Sequence, residues 1–97
     1  MRAVKRIEIV IEEIELENVT DELHRIGVAG YTVVPRAWGY GTHGMRQDNN
    51  LGMGNVYLVI ACDEKQSQQV IEAIRTILRR YGGICLVSDA QWVIHEG

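Results

Sequence analysis

An α+β fold built from two β-α-β halves, the ferredoxin-like arrangement, follows from three observations on the sequence. Strand-like and helix-like periodicities run twice in the order β-α-β, each helical segment carries one apolar stripe, and a glycine-rich excursion separates the halves. With 97 residues the chain has room for one core, so residues 1–97 are read as a single domain. A chain of that size leaves about a third of its surface unburied. Self-association is therefore expected.

From Val4 to Glu12 the residues alternate, with Ile7, Ile9 and Ile11 on one side and Glu8 and Glu12 on the other, the period of a half-buried strand. Leu16, Val19, Leu23 and Ile26 then recur at steps of three and four, and Gly27 follows as a C-cap able to take a positive φ. A helix of about three turns is predicted. The β-branched and aromatic run Tyr31-Thr32-Val33-Val34 starts a second strand, read as far as Tyr40. Pro35 lacks an N–H and puts that strand at an edge or a bulge.

Between Gly39 and Gly54 stand five glycines with His43, Asp48, Asn49 and Asn50. That composition is read as making no regular element, and the stretch is too long for a hairpin turn, so function is expected there. Strand character returns over Asn55 to Cys62. Asp63 and Glu64 supply an N-cap and a first-turn acid for a helix carrying Val70, Ile71, Ile74, Ile77 and Leu78. Arg79 and Arg80 suit its last turn, Gly82-Gly83 ends it, and a last strand is read from Ile84 to His95.

The two halves fold into an antiparallel four-stranded sheet with both helices on one face. On the other face Glu8, Val10, Tyr57, Val59 and Trp92 are too apolar for free solvent, so oligomerisation over that face or over the edges is expected.

The charge of -3 gives no electrostatic drive toward nucleic acid. No apolar run approaches the ~20 residues that span a bilayer, and the N-terminus leads into alternating Ile and Glu rather than a signal-peptide core. No membrane insertion is expected and the chain reads as cytoplasmic. Cys62 and Cys85 lie in apolar strand-like runs without CxxC spacing, as reduced structural thiols do. His24, His43 and His95 show no HxxH or HExxH spacing and no serine sits in GxSxG, so neither metal nor nucleophile chemistry is indicated and no enzyme is expected. Glu12, Glu13, Glu15 and Glu17 flank a strand-to-helix turn, where acids stabilise a helix N-terminus.

Gly39-Tyr40-Gly41-Thr42-His43-Gly44 admits two readings. Closely spaced glycines let backbone N–H groups approach a phosphate, with Thr42 adding a hydroxyl, but GxG also occurs in ordinary mobile loops. Gly82-Gly83 is a C-cap that a ligand could also use. Arg46, in a setting of Gly, Asn and Met, is placed either to fork onto a phosphate or carboxylate or to stay solvated.

The residues resemble those of the PII signalling superfamily over essentially the whole chain. The resemblance is carried by Lys5-Arg6-Ile7-Glu8-Ile9-Val10, Gly27-Val28-Ala29-Gly30-Tyr31-Thr32-Val33, the Gly39-x-Gly41 motif, the second β-α-β unit and Asp89-Ala90-Gln91-Trp92-Val93-Ile94. It implies that residues 40–54 or so form the T-loop, that the turn after the second helix is the B-loop, and that adenine nucleotides bind in clefts between the subunits of a homotrimer.

The nitrogen-regulatory branch of that superfamily has a B-loop of the form TGxxGDGK, whereas this chain has Arg80-Tyr81-Gly82-Gly83-Ile84 and no such lysine. Thr42 and His43 stand where that branch has the Arg and Gln serving phosphate and magnesium-2-oxoglutarate, and His95 stands where it has a terminal phosphate-binding Arg. Each lost charge-assisted contact is worth about 1.5–3 kcal/mol, so ADP or AMP is expected in place of a triphosphate.

The pattern resembles the PII-like proteins of inorganic-carbon metabolism, both the carboxysome-associated type and the SbtB type that partners a bicarbonate transporter. Gly30-Tyr31-Thr32-Val33, the short Tyr81-x-Gly83-Ile84 turn and the Thr42-to-Arg46 spacing carry it, and the missing cysteine-containing C-terminal extension favours the carboxysome-associated type. The strand before the loop is one residue longer than in those relatives, so a bulge is expected near Pro35.

The resemblance implies a nucleotide site of Thr32, Gly39, Tyr40, Gly41, Thr42, Arg46, Gly82, Gly83 and Ile84, with Thr42, His43 and Arg46 on phosphate or bicarbonate. A bicarbonate transporter or a carboxysome component is the implied protein partner. The alternatives are a nitrogen-type regulator answering to ATP and 2-oxoglutarate, and a CutA-like metal-tolerance trimer.

Overall fold

The structure is a computed structural model describing residues 1–41, 44–46 and 54–95, with 41 and 44–46 described by their backbone alone. Strand β1 (Arg2–Glu12) passes through one 3-10 turn (Glu13–Glu15) into α1 (Leu16–Ile26). There follow β2 (Thr32–Ala37), β3 (Gly39–Gly41), β4 (Gly44–Arg46), β5 (Asn55–Cys62), α2 (Glu64–Tyr81) and β6 (Ile84–Trp92). Four strands form an antiparallel sheet in the order β2-β5-β1-β6, and β3 pairs with β4 in a separate two-stranded sheet.

The alternation in β1 decides which face is covered. Ile7, Ile9 and Ile11 lie opposite Ile60, Leu58 and Val56 of β5. All six are buried with Val19 and Leu23 of α1 and Val70 and Ile74 of α2. Each such burial is worth about 1.5–3 kcal/mol. Both helices therefore cover one face, as their apolar stripes predict. Cys62 and Cys85 are free thiols, and burial pushes both above the usual cysteine range.

Local chemistry ends the helices where expected. Gly27 takes φ 85° and its N–H donates to the Leu23 carbonyl at 3.0 Å. Asp63 accepts at Oδ1 from the Gln66 N–H at 2.7 Å. Gly82 closes α2 with its N–H on the Leu78 carbonyl at 2.8 Å. Gly83, at φ 125°, does more than cap: a Cβ there would meet the Val10 carbonyl oxygen at 2.6 Å and Leu78 Cδ2 at 2.9 Å. Only glycine lets the end of α2 press this closely on β1.

Three strand readings are corrected. The second strand ends at Ala37, not Tyr40, because its partner β5 begins at Asn55, opposite Ala37; one residue earlier the register shifts between Pro35 and Ala37, where Arg36 takes φ 60°. This is the bulge that the extra residue predicts, on an edge strand of the sheet. The excursion read as having no regular element holds the β3–β4 hairpin, with Gly39 opposite Arg46, Tyr40 opposite Met45 and Gly41 opposite Gly44. Having left β5, these backbone groups pair with each other. The last strand stops at Trp92, not His95, because its partner β1 begins at Arg2, opposite Trp92.

Gly83→Ala is expected to cost about 1–3 kcal/mol of stability in urea denaturation. Gly39→Ala, whose Cβ meets nothing within 4 Å, should stay within about 0.5 kcal/mol of the parent.

Candidate functional site

The base of the long excursion and the turn after α2 lie at one end of the sheet. Ala37 pairs with Asn55, Asn55 with Glu12, and the Glu13 N–H donates to the Gly54 carbonyl at 2.8 Å. Ile84 enters β6 opposite Val10, two residues before that same end of β1. Pairing of β3 with β4 sets Arg46 opposite Gly39, so the cation and the GxG segment singled out in the sequence share one hairpin. Thr42 and His43 lie outside the described residues.

The remaining candidates are divided across the sheet. Thr32 is on edge strand β2, in a cross-strand row with Val59, Glu8 and Leu86, whereas Gly82, Gly83 and Ile84 lead into the opposite edge strand, β6. Three strand spacings, about 14 Å, separate the edges. One protomer thus keeps Thr32 apart from the Gly82–Ile84 turn. His95 is exposed beyond Trp92, at the end of β6 remote from that turn.

Two features escaped the sequence reading. Trp38 is 71% exposed at the neck of the excursion, near the expected site residue Tyr40, itself 82% exposed; an aromatic beside the GxG motif was the available signal for Trp38. Tyr31, directly before Thr32, meets His24 of α1 with its hydroxyl 3.2 Å from Nε2. A seven-residue separation across a helix end carries no sequence signature for that contact.

On the face the helices leave open, Val10, Val34, Val59, Ile84 and Leu86 surround one polar group. The Tyr57 hydroxyl donates to Glu8 Oε2 at 2.7 Å, Arg6 Nε lies 3.4 Å from Glu8 Oε1, and Arg6 Nε donates to Ser88 Oγ at 3.1 Å. The hydrogen bond to Glu8, with burial and the carboxylate charge adding to it, holds the Tyr57 phenol above its ordinary value of 10.0. Along the β2 edge runs a groove of about 430 Å³ between the start of α1 and Tyr31 and Val33. Among the described residues no three His, Cys, Asp or Glu side chains are placed to hold a metal ion, and no helix is long and apolar enough to cross a membrane.

The family described as nitrogen regulatory protein P-II matches residues 4–96. The chain belongs to the PII family. PII-like proteins are trimers that bind adenine nucleotides.

Among solved structures of this family, CPII from Thiomonas intermedia, a nitrogen regulatory PII-like protein bound to ADP, AMP and bicarbonate, is 30% identical with a TM-score of 0.85. The match covers 93% of this chain and 88% of that one. CPII bound to ADP and bicarbonate gives 30% identity and a TM-score of 0.84 over the same shares. The apo form of CPII gives 27% and 0.77, covering 93% of this chain and 91% of that one. No curated protein matches the chain.

The Tyr57–Glu8 bond has a measurable signature. A phenol raised on folding contributes stability that is present below pH 10 and lost as pH rises through its folded value. Followed by near-ultraviolet absorbance, Glu8→Gln should bring one tyrosine's ionisation down toward 10.0 and shift the alkaline loss of stability with it.

Proposed function

We propose that this protein is a non-enzymatic, cytoplasmic PII-like sensor. It binds ADP or AMP, together with bicarbonate, in the clefts between the subunits of a homotrimer. Through its long loop it reports inorganic-carbon status to a protein partner, a bicarbonate transporter or a carboxysome component. The observation that carries this reading is the likeness, at 30% identity over 93% of the chain, to CPII bound to ADP, AMP and bicarbonate.

The division of the site residues supports a cleft between subunits. A nucleotide that touches Thr32 on one edge and Gly82, Gly83 and Ile84 on the other reaches both when two protomers meet edge to edge. The Thr32 hydroxyl and the Gly82–Ile84 backbone hold the nucleotide, and Gly39 and Gly41 let N–H groups approach it beside Tyr40. Thr42, His43 and Arg46 close on phosphate or bicarbonate.

Ordering the loop costs about 1–2 kcal/mol per residue fixed. Only a ligand that contacts the loop shifts its population, and the ordered loop is what a partner meets. A response to ATP and 2-oxoglutarate is disfavoured because the Gly82-Gly83 turn carries no lysine for a third phosphate.

Calorimetric titration with AMP, ADP and ATP, each with and without bicarbonate, tests the reading. It expects heat with ADP or AMP that bicarbonate strengthens, and absence of heat with every adenine nucleotide contradicts it. Arg46→Ala should weaken ADP by about 1.5–3 kcal/mol where its guanidinium engages phosphate; unchanged affinity makes Arg46 a solvated residue.

A further inference from the structure

The groove of about 430 Å³ along β2 lies on the face of that strand turned away from the proposed nucleotide cleft. Glu13 and Glu17 flank it, and Ile14, Leu16, Tyr31 and Val33 form its apolar floor. Thr32 stands in a row with Val59, Glu8 and Leu86 on the open face of the sheet. Side chains alternate along a strand, so Tyr31 and Val33 turn to the helical side, where both pack against the core. A nucleotide at Thr32 and an occupant of the groove therefore do not compete for space.

The groove is apolar within and negative at its rim. Ile14 is 62% exposed there. No cation lines it, and among the described residues neither Glu13 nor Glu17 makes an ion pair. The positive end of α1 supplies about half a unit charge against two carboxylates, so the rim stays negative. The groove is also tied to the long excursion, because the Glu13 N–H donates to the carbonyl of Gly54 at 2.8 Å.

We infer that this groove receives a lysine- or arginine-bearing segment of the sensor's protein partner. An apolar side chain of that segment seats among Ile14, Tyr31 and Val33, and cations on either side of it meet Glu13 and Glu17. The inference rests on the partner-reporting role proposed above and adds the chemistry of the partner. An acidic segment would set like charges together, and a wholly apolar one would desolvate two carboxylates without pairing them. Because Glu13 holds Gly54, the docked segment bears directly on the root of the excursion.

A labelled peptide with two lysines on each side of a leucine pair, titrated into the full chain at low salt and followed by fluorescence anisotropy, tests the docking. It should bind, whereas the same peptide with glutamate for lysine, or serine for leucine, should bind about tenfold more weakly or worse. Glu13→Gln combined with Glu17→Gln, and separately Ile14→Ser, should each weaken the lysine peptide by about fivefold or more while ADP heat is unchanged. Thr20 also lines the groove. Thr20→Lys puts a cation there while leaving the acids and Ile14 in place, and gives the same loss should either other variant depart from the parent in circular dichroism. Absence of binding, equal binding of all three peptides, or parent-like affinity in the folded variants overturns the inference. If ADP gives heat and the lysine peptide does not bind, the groove assignment is wrong and the sensor reading stands. If the peptide binds as expected and no adenine nucleotide gives heat, the sensor reading is wrong and the groove's preference for a basic segment stands.

Discussion

Two helices packed on one face of a four-stranded sheet cannot cover the other, and that asymmetry governs much of what this molecule can do. Ile7, Ile9 and Ile11 commit β1 to the helical side. The same alternation then fixes Glu8 and Val10 on the open side, in rows with Val59, Leu86, Tyr57 and Ile84. Apolar surface of this kind is stabilised by a second protein surface. The Tyr57–Glu8–Arg6 contacts satisfy the charge that such a cover would desolvate.

The site follows from how the chain leaves that sheet. Just past the bulge at Arg36, β2 makes its last pairing with β5 at Ala37, and the chain enters the hairpin that sets Arg46 opposite Gly39. Gly83 lets α2 end against the Val10 carbonyl, which places the short Gly82–Ile84 turn at the same end of the sheet as the base of the excursion. Strand order then puts Thr32 on the opposite edge.

Most of the fold was legible because it rests on local periodicity. The step of two in β1, the steps of three and four in both helices, Gly27 and Asp63 all act within one element, and each appears as read. What was not legible depends on partners. The end of β6 at Trp92 is set by where β1 begins. The β3–β4 hairpin joins segments of glycine and mixed side chains that have no apolar period to announce a strand. Gly82-Gly83 reads as a helix stop, while the close approach of Gly83 to Val10 is a tertiary contact invisible along the chain. For the site, it was the family resemblance that grouped Arg46 with the GxG motif, each of which the residues alone left open. The separation of Thr32 from Gly82–Ile84 required the strand order, and Trp38 lay just past the bulge expected near Pro35.

The most direct test is a crystal structure of the assembled protein grown with ADP and bicarbonate. The account predicts ADP lodged between two subunits, touching Thr32 of one and the Gly82–Ile84 turn of the other. ADP held wholly by one subunit, or bound away from both edges of the sheet, would contradict it.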